Sequence, residues 1–126
     1  MMELALLSPW VIFLFIGVLD WGFYAYSIIT LENAARVAAT YASSGNTGSV
    51  CTVLLNEMSS LSNMQGVTTC GGSSPVSYSK SDITGPDNNS AISMSVTYTT
   101  PTMIPIPGLL AKQFTITRIV KMRSVS

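Results

Sequence analysis

The side chains able to do chemistry in this sequence are few and poorly placed for catalysis. It has six acidic residues, two cysteines and no histidine among 126 residues. General acid–base work needs histidine or paired carboxylates. Beyond residue 44 the acids are Glu57, Asp82 and Asp87, widely spaced in the chain. Cys51 and Cys70 have no CxxC spacing, and without histidine they do not make a zinc set. No GxSxG segment and no glycine-rich phosphate loop occurs. An enzyme is therefore not expected, and no cofactor is implied. Net charge is zero with no basic patch, so nucleic acid is not an expected partner. What remains is thiol oxidation at Cys51 and Cys70, and two carboxylates, Glu3 and Asp20, set in an apolar stretch.

That stretch decides what the carboxylates can do. Leu4 to Leu19 carries no charge, with Ser8 its one polar side chain, and apolar and aromatic character continues past Asp20 to Leu31. About 20 apolar residues cross a bilayer as a helix. No helix stop appears before the polar cluster Ser43-Ser44-Gly45-Asn46. The expected element is one helix over about residues 2–44, roughly 65 Å long, twice the hydrocarbon thickness. Half of it needs an environment other than lipid. Nothing basic precedes the apolar run, unlike a cleavable signal peptide, so the expectation is a processed chain whose leader is absent.

Glu3 sits where a carboxylate is costly in lipid. It can complement the positive helix end or neutralise a free α-amino group, its own or a neighbour's; the alternative is a headgroup-level carboxylate. Pro9 is expected to kink the first turns or to mark the start of the regular helix. Asp20 either meets a polar group on another subunit or lies at a water-exposed weak point; the alternative is snorkelling to the outer interface. Gly17 and Gly22 allow close backbone approach. Further on, Ala34, Ala38 and Ala42 form one four-residue ladder, with Ala35 and Ala39 on a second beside it. Such a smooth strip permits tight packing, against the protein's own body and on further sides. Glu32 and Arg36 form an i,i+4 pair in the favoured order.

The remaining residues, 45–126, are expected to make one small α+β outer domain beside the hydrophobic helix of residues 1–44. Val50, Val53, Leu54, Met58 and Leu61 recur at helical spacing, predicting an amphipathic helix of about 15 residues capped by Thr47 or Ser49. Val76 to Ile83, then Ile92, Met94, Val96 and Tyr98 alternating with Ser and Thr, then Phe114, Ile116 and Arg118 alternating in a last strand to about Arg123, predict an antiparallel sheet of three or four strands covered on one face by helix. Gly85 to Ser90 is a turn cluster, and Asn88-Asn89-Ser90 is a formal glycosylation sequon. The proline-rich connection carries Met103, Ile104, Ile106, Leu109 and Leu110, an apolar set that either caps its own core or touches a neighbouring subunit or the bilayer. A membrane helix implies export of the polar part, and exported thiols usually pair. A Cys51–Cys70 disulfide is expected, closing a loop of about 20 residues and stabilising a small domain by roughly 3 kcal/mol; the alternative is two buried thiols.

Taken together, the glutamate opening an apolar helix, Pro9, the run Gly-Val-Leu-Asp-Trp-Gly (17–22) and the run Leu-Glu-Asn-Ala-Ala-Arg-Val-Ala-Ala-Thr-Tyr-Ala-Ser (31–43) resemble the TadE-like pilins of the type IV pilin group. Ile-Ser-Met-Ser-Val-Thr-Tyr (92–98), followed by a proline-rich apolar stretch and a last strand, is similar too. The resemblance implies a precursor held in the inner membrane, clipped by a prepilin peptidase and polymerised by a pilus assembly machine. It implies that Glu3 pairs with a neighbour's terminal amine, although the family's glutamate usually stands fifth in the mature chain and here stands third. Asp20 matches an acidic position of the family's first helix. The residues agree independently, because a helix apolar all round must be buried in lipid or in protein, and a filament of copies supplies the second. The expectation is a structural subunit of an extracellular type IV-like pilus. The alternative is a membrane-anchored minor pilin or assembly protein, and an anchored surface enzyme or binding module is least supported.

Overall fold

A computed structural model describes residues 2–46, 48–102 and 113–124, with side chains from Ala5 onward. The chain folds as helix α1 (Met2–Ser43), helix α2 (Val50–Glu57) and strands β1 (Val76–Thr84), β2 (Ser90–Thr99) and β3 (Thr115–Arg123). This is the expected α+β arrangement, with three strands in an antiparallel sheet ordered β1-β2-β3.

α1 is continuous through Pro9, Gly17 and Gly22, and its 42 residues give a rod of about 63 Å. It stops at the polar cluster. Gly45 takes the left-handed conformation (φ 83°), and its N–H bonds to the Ala42 carbonyl at 3.3 Å. The hydroxyls of Ser43 and Ser44 both donate to the Thr40 carbonyl, at 2.8 and 3.0 Å. The Gly45 bond satisfies a helix-end carbonyl, and the two hydroxyls reinforce the Thr40 carbonyl that already accepts the Ser44 N–H.

The upper half of α1 has one buried face: Ser27, Leu31, Ala34, Ala35, Ala38, Ala39, Ala42 and Ser43. Their spacing of three and four residues is that of one helix face. Ser27 is tolerated there because its hydroxyl donates to the Phe23 carbonyl at 2.9 Å. This face packs on α2, β2 and β3. The alternating side of β2, Ile92, Met94, Val96 and Tyr98, is wholly buried against it. With methyl groups on the helix, the sheet's larger side chains fill the layer between them. The core therefore includes Leu31 to Ala42 of α1 together with α2 and the sheet.

α2 is shorter than the sequence periodicity predicts, eight residues instead of about 15. The apolar residues after it, Met58, Leu61, Met64 and Val67, fall at three-residue intervals. Leu61, Met64 and Val67 each donate a backbone N–H to the carbonyl three residues back, at 3.0, 3.0 and 3.2 Å. Successive i→i+3 turns bury the same side chains that a longer helix would have buried, because three-residue spacing suits the tighter winding. Ser49 stands at the N-cap without making a side-chain cap bond. Its hydroxyl instead pairs with that of Tyr41 at 2.7 Å, tying α2 to α1. Thr47 lies outside the described residues.

A disulfide joins Cys51 of α2 to Cys70, with Cα atoms 5.9 Å apart, and so fixes both ends of this turn-rich segment. Its middle is fixed by Asn63, which donates to the Thr99 carbonyl at 3.0 Å and accepts from the Tyr98 hydroxyl. At the β1–β2 turn, Asn88 is left-handed (φ 59°), and the Asn89 side chain holds the Asp87 carboxyl below the usual carboxylate range. Thr100 closes the base of the connection to β3: its N–H donates to the Phe114 carbonyl, and its hydroxyl accepts from Phe114 N–H, both at 2.9 Å.

Tyr98 provides a pH-dependent test of this packing. Burial pushes its phenol above the ordinary tyrosine value, partly offset by the hydrogen bond to Asn63. Above about pH 10 an unfolded tyrosine ionises while the folded one stays protonated, so the unfolded state binds fewer protons and stability falls as pH rises. Tyr98→Phe is expected to cost about 1–3 kcal/mol at neutral pH, since Asn63 loses its donor, and to flatten the alkaline decline. Unfolding midpoints across this pH range check both effects. An alkaline decline of equal slope in the variant would assign it to other groups.

Candidate assembly surface

The lower half of α1 stands clear of the body. From Ala5 to Phe15 every residue is exposed, Leu6 at 77% and Trp10 at 73%, and Trp21 is still 69% exposed. The apolar character runs round the whole circumference there, so no polar stripe faces solvent. Among the described residues this is the one helix long and apolar enough to span a membrane. Trp21 and Tyr24 meet edge to face at 6.2 Å, and Tyr24 packs on Phe114 at 5.4 Å. These contacts mark where the body begins, at a level suited to a membrane–water boundary.

The structure distributes the expected site residues unevenly. Glu3 lies in the first turn of α1, below the described side chains. Pro9 lies on the exposed apolar portion. Ala34, Ala35, Ala38, Ala39 and Ala42 are all inside the protein's own core, at 0 or 1% exposure. Cys51 and Cys70 are bonded to each other. Met103, Ile104, Ile106, Leu109 and Leu110 lie outside the described residues. Asp20 is one turn below Tyr24 and partly exposed. Its Oδ2 is shielded from solvent without a hydrogen-bond partner among the described residues.

A feature that sequence reasoning missed lies above Asp20. β3 runs alongside α1 in the same direction: Phe114 packs on Tyr24, and Thr40 Oγ1 lies 3.4 Å from Met122 Sδ. Sixteen helical steps and eight strand steps both span about 25 Å, so the match holds along the length. Arg118, at mid-strand, is thereby level with Glu32. A cleft of about 570 Å³ opens here, lined by Glu32, Arg36, Arg118 and Lys121 with Ile119, Val120 and Met122. Arg36 is committed to Glu32 at 2.6 Å. Arg118 lies on the inner, alternating side of β3 with Ile116, and its Nε is buried without a partner among the described residues. The alternation puts Arg118 in phase with Ile116; that an arginine at an apolar position of a period-two strand marks a cleft against α1 is the part missed.

Residues 1–40 match the family model of the TadE-like proteins. The N-terminal segment is TadE-like. The match takes in the exposed apolar half of α1 and most of its buried face, and stops before α2 and the sheet. No curated protein and no solved structure matches the chain. The match covers the N-terminal third of the chain, and the TadE-like proteins it resembles are pilus-associated and not an enzyme family. The apolar helix fits a membrane-anchored protein. Among the described residues no group of three or more His, Cys, Asp or Glu side chains comes together.

Proposed function

We propose that the chain is a pilin, a structural subunit that polymerises through α1 into an extracellular Tad-like pilus. Residues 1–44 act as membrane anchor and then filament core, and residues 45–126 as the outer domain. The observation that carries this reading is the division of α1. Its upper face is satisfied by the protein's own core, whereas its lower half is apolar all round and uncovered by the chain itself. Lipid covers that half in the inner-membrane precursor, and copies of the same helix cover it in the filament. A prepilin peptidase and a pilus assembly machine are the partners this route requires.

The test is electron microscopy of material sheared from producing cells, with the chain identified by mass spectrometry. Filaments built mainly of this chain support the reading. A chain confined to the membrane fraction, or present in traces beside another pilin, makes it an assembly component or a minor subunit. Glu3→Ala is expected to leave membrane insertion intact and to reduce filament yield, because a carboxylate at the helix start no longer answers a neighbour's amine. Normal filament yield in that variant refutes the pairing.

A further inference from the structure

We propose that the α1–β3 cleft receives the Asp20 carboxylate of a second copy of this chain, joining neighbouring subunits through an Asp20–Arg118 ion pair. The inference rests on the polymer reading and goes further, naming the contact and the stagger between copies.

The charges lead to it. Among the described residues, Glu32 pairs with Arg36, Asp82 with Lys80 and Asp87 with Arg123, at 2.6, 3.7 and 3.1 Å. Asp20, Glu57, Arg118 and Lys121 have no such partner among the described residues. Glu57 is exposed at the end of α2, where water serves it. Asp20 and Arg118 are different, because each has a polar atom withdrawn from solvent and without a hydrogen bond. Burying a charged group unpaired is costly, and opposite charges that meet with good geometry offset that cost. With Glu32 committed to Arg36, the cleft keeps Arg118 as its unmatched inward cation; Lys121, in register with Ser93, lies on the outer face of the sheet.

Within one copy the pair does not form. Arg118 is level with Glu32, so Asp20 lies twelve residues down α1, about 18 Å along its axis, beyond the reach of an arginine side chain. A parallel copy shifted by about 18 Å toward the C-terminal end of α1 brings its Asp20 level with this cleft. Staggered parallel copies are what a helical polymer contains. An arginine presents several fixed donors to a carboxylate and so sets register as well as attraction.

Charge exchange in producing cells tests the pairing. D20R and R118D are each expected to lower sheared filament yield roughly tenfold or more, and the D20R/R118D chain to recover most of it. The Cys51–Cys70 bond, read as gel mobility without reductant, reports that each variant has folded. A D20C/R118C chain treated with a short bismaleimide is expected to give a ladder of linked copies. Singles that assemble like the parent overturn the pairing. Should the double variant fail to recover because arginine at position 20 hinders insertion, the ladder decides, and its absence overturns the proposal. If the singles assemble normally while R118D weakens retention on phosphatidylglycerol vesicles, the cleft serves a lipid phosphate and the pairing is again overturned. A parent chain that makes no filament sinks the polymer reading and the pairing together, whereas unchanged filaments in D20R sink the pairing alone.

Discussion

Replacing Cys51 and Cys70 together by serine lowers the stability of the folded body by about 3 kcal/mol, with a fall in unfolding midpoint of at least about 10 °C. The residues between the cysteines explain why the bond matters here. After α2 they form no regular element before β1; they descend through i→i+3 turns. Yet Leu54, Met58, Leu61 and Met64, all on this segment, are core residues. A segment with few regular backbone bonds has many conformations to lose on folding, and closing it covalently removes many of them beforehand. Asn63 is its main polar anchor, through Tyr98 and Thr99. Without the disulfide these four apolar side chains are held to β2 and α1 by packing and that anchor alone. Thermal unfolding in detergent, with and without reductant, measures the effect. Coincident midpoints for the parent, the reduced parent and the double variant would show that the turns hold themselves in place.

How far the sequence alone reached follows from where its signals were local. The long helix was legible because nothing interrupts Leu4 to Ala42, and the stop at Gly45 is a property of a few adjacent residues. β2 was legible because Ile92, Met94, Val96 and Tyr98 alternate against an inward face that is wholly buried. β1 left a weaker trace, since it is a sheet edge with Val76 as its one buried residue. α2 was overextended because spacings of three and of four both look helical until backbone hydrogen bonds separate them. For the candidate surface, the exposed apolar helix and the isolation of Asp20 could be read directly. Arg118 could be put on the alternating side of the last strand with Ile116, but not beside Glu32, because that depends on the parallel course of β3 along α1, which local spacing does not encode. The alanine ladders had a visible spacing, but which neighbour they approach is a tertiary fact.

Those alanines give the second large effect. Ala38→Leu is expected to destabilise the isolated subunit by about 1–3 kcal/mol or more, because the added carbons have no room between helix and sheet. Ala38 is 0% exposed and shares its core with Leu54, Met94 and Val96. The helix can yield only by moving away from β2, which would loosen Ala34, Ala35 and Ala42 on the same face. Val37→Leu, one residue earlier, is the control: Val37 is 40% exposed, so one more methylene there meets solvent or a neighbouring copy. Unfolding of the detergent-solubilised subunit separates the two positions, with a lower midpoint for Ala38→Leu and a parental one for Val37→Leu. Filament yield then distinguishes internal packing from contacts between copies. If the subunit carrying Ala38→Leu unfolds like the parent yet fails to assemble, the strip acts between copies. If Val37→Leu is stable but assembles poorly, the intersubunit contact reaches the outward side of α1, above the level of Asp20.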